Sequence, residues 1–196
     1  GVCAVAVSTL IGSVLGICAG YFGGIVETLI MRFMDVISPI PSVLLAICIA
    51  SAFGQSLVSL MLAVGIISVP SFARIARAGV MTVRDQEYIE AAKSQGASEL
   101  QIIIHHVIPN SLAPIMVQAT MRVASAIISA SSLSFLGLGV PAPSPEWGGM
   151  LSEGRNFIGT NTNMTLFPGI AIMITVLCIN LIGDGVRDAM DPRLKR

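Results

Sequence analysis

Apolar runs of helix length alternate with short polar breaks along most of this chain. At about 20 apolar residues per membrane-spanning helix, the pattern predicts five spans, near residues 2–21, 36–53, 56–74, 112–136 and 165–184. Each is read as a helix, because lipid offers the backbone no hydrogen-bonding partner. Two breaks are long. One is a polar, helix-prone island over 85–110, and the other is a Gly- and Pro-rich stretch over 137–165. Around the first span, Gly12, Gly16, Gly20 and Gly24 recur at four-residue intervals, with Ser8 extending the row. Such a face predicts close approach of another helix. Pro39, Pro41, Pro70 and Pro168 lie near or inside spans, where a missing amide hydrogen produces either a static bend or a hinge.

Within the island, Asp85 is a candidate cap for one helix and Gly96 its terminator, while Ser98 with Gln101 reads as a capping box for a second. Pro109 is expected to end that second helix, with Asn110 or Ser111 capping the next span. The expected shape is helix, glycine break, helix, lying across the membrane face. Two uses fit it: a rigid peg for a soluble partner, or an amphipathic loop resting on lipid headgroups.

Composition puts the chain in a bilayer, with 54% hydrophobic and 11% charged residues and a mean hydropathy of +0.85, against about 25% charged in soluble domains. Net charge is zero, and no basic cluster with interleaved aromatics invites nucleic acid. Charge distribution is more informative. Arg74, Arg77, Arg84 and Lys93 flank the island, Arg187, Arg193, Lys195 and Arg196 crowd the C-terminus, and 137–165 carries only Arg155. The positive-inside rule therefore makes the island and the C-terminus cytoplasmic and 137–165 external. Gly1 is then external too, and an upstream span is expected; the apolar start lacks the basic leader and cleavage site of a signal peptide.

In the fourth span, Gln118, Arg122, Ser125, Ser129 and Ser132 alternate in spacings of four and three, which sets them on one helical face. That face either lines a wet path, or the helix projects beyond the bilayer edge and Arg122 snorkels or pairs with an acid. No catalytic constellation shares a face. His105 and His106 are adjacent and diverge, and Cys3, Cys18, Cys48 and Cys178 stand singly, so neither a metal site nor a disulfide is expected. GxxxxGK[ST] is absent, so ATP cannot be held here in the P-loop manner and energy must come from elsewhere. Trp147 in the external stretch fits an interfacial anchor.

Glu90-Ala91-Ala92, three residues, Gly96, then an apolar-rich run ending in Ile108-Pro109 resembles the EAA loop by which permease subunits of ATP-binding-cassette (ABC) importers dock on their ATPase. His106-Val107-Ile108-Pro109-Asn110 is similar to the version found in the peptide and nickel importer family. The likeness runs from Gly20-Tyr21-Phe22-Gly23-Gly24 and Met31-Arg32 to Asp191-Pro192. It takes in Leu136-Gly137-Leu138-Gly139, Glu146-Trp147-Gly148 and Gly183-Asp184-Gly185.

The resemblance implies an all-α integral membrane permease domain over 1–196, of the type I ABC importer (MetI-like) fold and short of an N-terminal membrane segment. It implies about five transmembrane helices, a cytoplasmic coupling loop at 85–110 and an extracytoplasmic loop at 137–165. Glu90, Ala91, Ala92, Gly96, His106, Pro109 and Asn110 would dock the ATPase, and Glu146 and Trp147 would abut the binding protein. The implied partners are a second homologous permease, two ABC ATPase subunits, an extracytoplasmic substrate-binding protein and the lipid bilayer. ATP and Mg would sit on the partner subunits with no cofactor on this chain, in a bacterial inner (plasma) membrane. Di- or oligopeptides are the expected cargo: the spans offer few carboxylate or His ligands for a bare cation but many small hydroxyls, glycines and methionines. Nickel or another small solute is the alternative, and a non-transporting scaffold or passive channel would show no ATPase partner.

Overall fold

The computed structural model describes residues 1–190; the expectations at Asp191, Pro192, Arg193, Lys195 and Arg196 lie outside the described residues. The chain forms α1 (Val2–Phe22), α2 (Gly24–Ile37), α3 (Ser42–Phe53), α4 (Leu57–Val83), α5 (Glu87–Ser94), α6 (Glu99–Ile102), α7 (Ile108–Phe135), α8 (Trp147–Gly154) and α9 (Asn163–Met190).

α1 and α4 form the most intimate pair, and the glycine row explains why. A Cβ on Gly12 would stand 2.6 Å from Phe72 Cβ, on Gly16 2.3 Å from the Ala73 carbonyl oxygen, and on Gly20 2.9 Å from the Arg77 oxygen. The two backbones therefore touch, with Ser8 buried at the row's outer end. Gly24 departs from the expected row: with φ +54 it starts α2 and meets no neighbour. Because Gly12, Gly16 and Gly20 meet α4 in ascending order, the helices run parallel, and the chain between them must cross back.

That return corrects the expected span 36–53. It is a broken pair, α2 and α3, bent by 89°. Ser38-Pro39-Ile40-Pro41 separates them, two prolines that cannot donate and disfavour helix in the residues before them. α3 alone has 12 residues, about 18 Å at 1.5 Å per residue, too short for a hydrocarbon core of about 30 Å. α2 covers the inner part, pairing Glu27 with Arg77 and Asp35 with Arg74, and α3 covers the outer part, packing Ala46 and Ile49 beside Leu60, Ala63 and Val64. The four long apolar helices α1, α4, α6–α7 and α9, with the bent pair counted as one, give five crossings.

α4 also exceeds expectation, running to Val83 rather than 74. Arg74 and Arg77 end the apolar window in sequence, but their carboxylate partners on α2 let the helix continue past the bilayer edge. Pro70 is accommodated inside α4 and Pro168 inside α9. α7 runs antiparallel to α4, with Ser111 beside Gly79 and Arg122 beside Ser71, and α9 returns antiparallel to α7, with Gly183 beside Thr120. The island and the end of α9 thus share one end of the bundle, and Gly1 and the 137–165 stretch share the other. Large apolar side chains along α1 and α9, such as Leu10, Val14, Leu177 and Leu181, remain exposed, as lipid-facing surface requires.

Candidate functional site

Three side chains fix the island to the inner end of the bundle. Ile89 of α5, Ile102 of α6 and Val107 are fully buried and join Ile17, Ala76, Val80 and Ile115 in one apolar cluster. α5 starts after Gln86 in extended conformation; the expected cap Asp85 instead accepts a hydrogen bond from Arg84 Nε at 3.3 Å. Gly96 ends the first helix as the sequence suggests, with φ +82, a region that costs other residues about 1–2 kcal/mol. The Ser98–Gln101 capping box is present, with the Ser98 amide donating to Gln101 Oε1 at 2.9 Å.

Beyond Ile102 the expectation fails. Pro109 does not end a helix: α6, a π turn at Ile103–Val107 and α7 form one continuous rod from Glu99 to Phe135. The π turn widens the helix just ahead of a proline at the start of α7, a position where a missing amide hydrogen is tolerated. Asn110 and Ser111 do not cap; the Asn110 side-chain amide donates to the His106 carbonyl at 2.6 Å, and the Ser111 hydroxyl donates to the Val107 carbonyl at 2.8 Å. The second half of the island is therefore the inner extension of a membrane helix.

Glu90, Ala91, Gly96, Pro109 and Asn110 are exposed, whereas Ala92 and His106 are half-buried, Ala92 against the apolar cluster and the His106 ring 6.4 Å from that of Tyr88. Sequence reasoning missed Tyr21 and Glu99: the Tyr21 hydroxyl donates to Glu99, Lys93 Nζ lies 5.8 Å above the Tyr21 ring, and Arg84 donates to the Gly20 carbonyl at 2.8 Å. These contacts tie the inner end of α1 to the island. It also missed Leu100 and Ile104, large apolar side chains left 66% and 48% exposed one helical turn apart. An apolar i, i+4 pair that begins within the capping box was the available signal.

The five polar positions of the fourth span do not share one wall. Arg122, Ser125 and Ser129 line a cleft of about 40 Å³ together with Ser42 and Ser68. Ser132 borders a separate hollow with Phe135, Leu151 and Ile172, its hydroxyl donating to its own helix at the Ile128 carbonyl. Gln118 is half-buried and lines neither. Arg122 is half-buried and donates to the Ser71 hydroxyl. An arginine at membrane depth costs about 2.5–3.5 kcal/mol on insertion scales, which argues for a wet surface there.

At the outer end, Glu146 accepts hydrogen bonds from the Ser134 hydroxyl and, at 3.3 Å, from the Val140 amide. Residues 137–149 are too rich in Pro and Gly to predict a helix, yet α8 begins within them at Trp147, and a short 3-10 turn follows at Arg155–Phe157. Glycine does not preclude the helix, because Gly148 is where α8 lies flush on α7: a Cβ there would stand 2.5 Å from the Ser131 oxygen. Trp147 opens α8, 41% exposed, and Glu146 also borders a cavity of about 380 Å³ with Ala4, Leu60 and Ala130.

A family described as "Binding-protein-dependent transport system inner membrane component" matches residues 12–196. The chain is similar to the dipeptide transport system permease protein DppC of Alkalihalophilus pseudofirmus, 49% identical over 100% of this chain and 64% of that protein. It is also similar to the glutathione transport system permease protein GsiD of Pectobacterium atrosepticum, 44% identical over 100% of this chain and 65% of that one. The chain thus spans just under two thirds of the length of these curated relatives. Its fold is similar to that of an inward-facing MetNI methionine ABC transporter, with a TM-score of 0.72 at 19% identity over 96% of this chain and 92% of that one. At that identity the likeness is one of fold.

Proposed function

The chain belongs to the binding-protein-dependent transport system inner membrane component family, and on that premise we propose that it is one permease subunit of an ATP-driven importer, contributing half of a translocation path for di- or oligopeptides. The family is one of membrane transport components rather than enzymes. The observation that carries the reading is the island: Ile89, Ile102 and Val107 seat it in the bundle while Glu90, Ala91 and Gly96 face outward at the basic end. A rod continuous from Glu99 into α7 gives a push on the island a rigid path into the membrane.

In this reading two ABC ATPase subunits bind ATP and Mg, and one of them docks on Glu90, Ala91, Ala92, Gly96, His106, Pro109 and Asn110. A second homologous permease completes the path along Gln118, Arg122, Ser125, Ser129 and Ser132. An extracytoplasmic binding protein delivers cargo near Glu146 and Trp147, in a bacterial inner membrane, and the chain itself holds no cofactor. Relatives named for dipeptide and glutathione transport support a peptide cargo over nickel. The test is reconstitution of the full-length protein in proteoliposomes with a second permease, both ATPases and the binding protein. Labelled dipeptide should accumulate only with ATP. Nickel uptake without peptide uptake would overturn the cargo, and no ATP-dependent uptake of either would overturn the importer.

A further inference from the structure

Four arginines stand at successive levels in the inner half of the α4–α7 pair, and the fold treats one of them differently. Arg74 pairs with Asp35 at 3.0 Å, Arg77 Nε with Glu27 at 2.7 Å, and Arg84 with Asp85 at 3.3 Å. Arg122, the outermost, meets only the Ser71 hydroxyl, and no carboxylate among the described residues lies within ion-pair distance. Its level is one helical turn outward from Arg74, inside the apolar stretch of α4. A guanidinium carries five N–H donors in a planar fork, so most of its donors are unspent. Arginines inside membranes face bundle interiors or wet cavities and pair there.

The surroundings suit one kind of partner. Ser42, Ser125 and Ser129 open onto the same cleft, and their hydroxyls make no hydrogen bond among the described residues. Ser68, also in the lining, is already committed to the Val64 carbonyl at 3.0 Å. A fork of donors and three uncommitted hydroxyls around one small cleft, about 40 Å³, match a carboxylate. Bidentate arginine–carboxylate pairing is strong and directional.

We propose that the Arg122 cleft is a transient binding point for a carboxylate of the transported solute, a free C-terminus in the case of a peptide. This rests on the permease reading and adds to it a chemical requirement on the cargo. A cation left without an internal acid attracts an anionic group to this depth, and weak, partial coordination by hydroxyls lets the group leave again.

The test uses the full complex in proteoliposomes, with Cys3, Cys18, Cys48 and Cys178 replaced by alanine and Ser125→Cys as reporter. An anionic methanethiosulfonate should label it about tenfold faster than a cationic one, and Arg122→Gln should abolish that preference while Arg122→Lys keeps most of it. Dialanine at saturating concentration should slow labelling, and its C-terminal amide should not. No labelling, no preference for the anion, a preference that survives Arg122→Gln, or equal protection by acid and amide would each overturn the proposal. An acid supplied by the second permease would appear as absence of anion preference. ATP-dependent dipeptide uptake by vesicles holding the complex with Ser125, Arg122 and the four cysteines intact reports on the importer separately, so the cleft can fail while the importer stands.

Discussion

The two ends of α7 solve the problem of leaving a membrane helix in opposite ways. At the inner end the helix does not stop: a π turn carries it past Pro109 into α6, and apolar anchors hold the extension down. At the outer end it stops at Phe135, and the chain reverses through Gly137 with φ +82, pinned by Gln55 donating to the Gly137 carbonyl at 2.9 Å and by Glu146. The inner segment is joined to its span by a rod, so displacement passes through it. The outer segment is joined by a turn, and its order comes from contacts with α7 and α9. The proposed drive from the inner face calls for stiffness at that end.

The sharpest way to break the comparison is to put a side chain at one glycine of each end. Gly148→Leu should be the more damaging, since even a Cβ would meet the Ser131 oxygen at 2.5 Å; α8 must lift from α7, and we expect loss of folded protein in mild detergent by size-exclusion chromatography. Gly96→Leu meets nothing within 4 Å and suffers only its positive φ, about 1–2 kcal/mol, so the bundle should assemble while the proposed ATPase capture weakens. Equal loss of folded protein in both would erase the distinction.

Ile89→Ala tests the anchoring. A fully buried isoleucine truncated to alanine costs about 2–5 kcal/mol in a core, and the side chain lost is one of the three that seat the island on the bundle. Amide hydrogen exchange over 87–102 should accelerate while exchange in α1 and α4 holds. Tyr21→Phe comes next. It removes the hydroxyl donated to Glu99 but keeps the ring under Lys93, so the expected cost is about 0.5–1.5 kcal/mol, read as a small rise in exchange at the start of α6. No change there would mean that the tie between α1 and the island is incidental.

These residues also separate what local sequence reveals from what it hides. Gly96, the Ser98–Gln101 box and the glycines of α1 were legible because each works through its own backbone or a fixed helical spacing. The break between α2 and α3, the extra length of α4, the reading-through of Pro109 and the presence of α8 were not. Each depends on a distant partner or a backbone adjustment: Glu27 and Asp35 for Arg77 and Arg74, the π turn ahead of Pro109, Ser131 beneath Gly148. The polar face of α7 was legible as a face, but its division between two hollows follows from where α3, α4, α8 and α9 lie.

The smallest expected effect on stability is paired with a large one on function. Glu90 is exposed on α5, and its side chain makes no hydrogen bond or ion pair among the described residues. Glu90→Arg should therefore change stability by no more than about 0.5 kcal/mol, as surface substitutions do, even though it moves a positive charge to the N-terminal half of a short helix where an acid is preferred. Nothing inside the fold engages this carboxylate, which leaves it free to meet a basic surface of the proposed ATPase. In the reconstituted complex Glu90→Arg should keep its melting temperature and yet lower ATPase retention, or leave ATP hydrolysis running without peptide uptake. A variant that retains the ATPase and transports at the normal rate would remove Glu90 from the docking face, and would shift attention to the exposed pair Leu100 and Ile104 as the next surface to test.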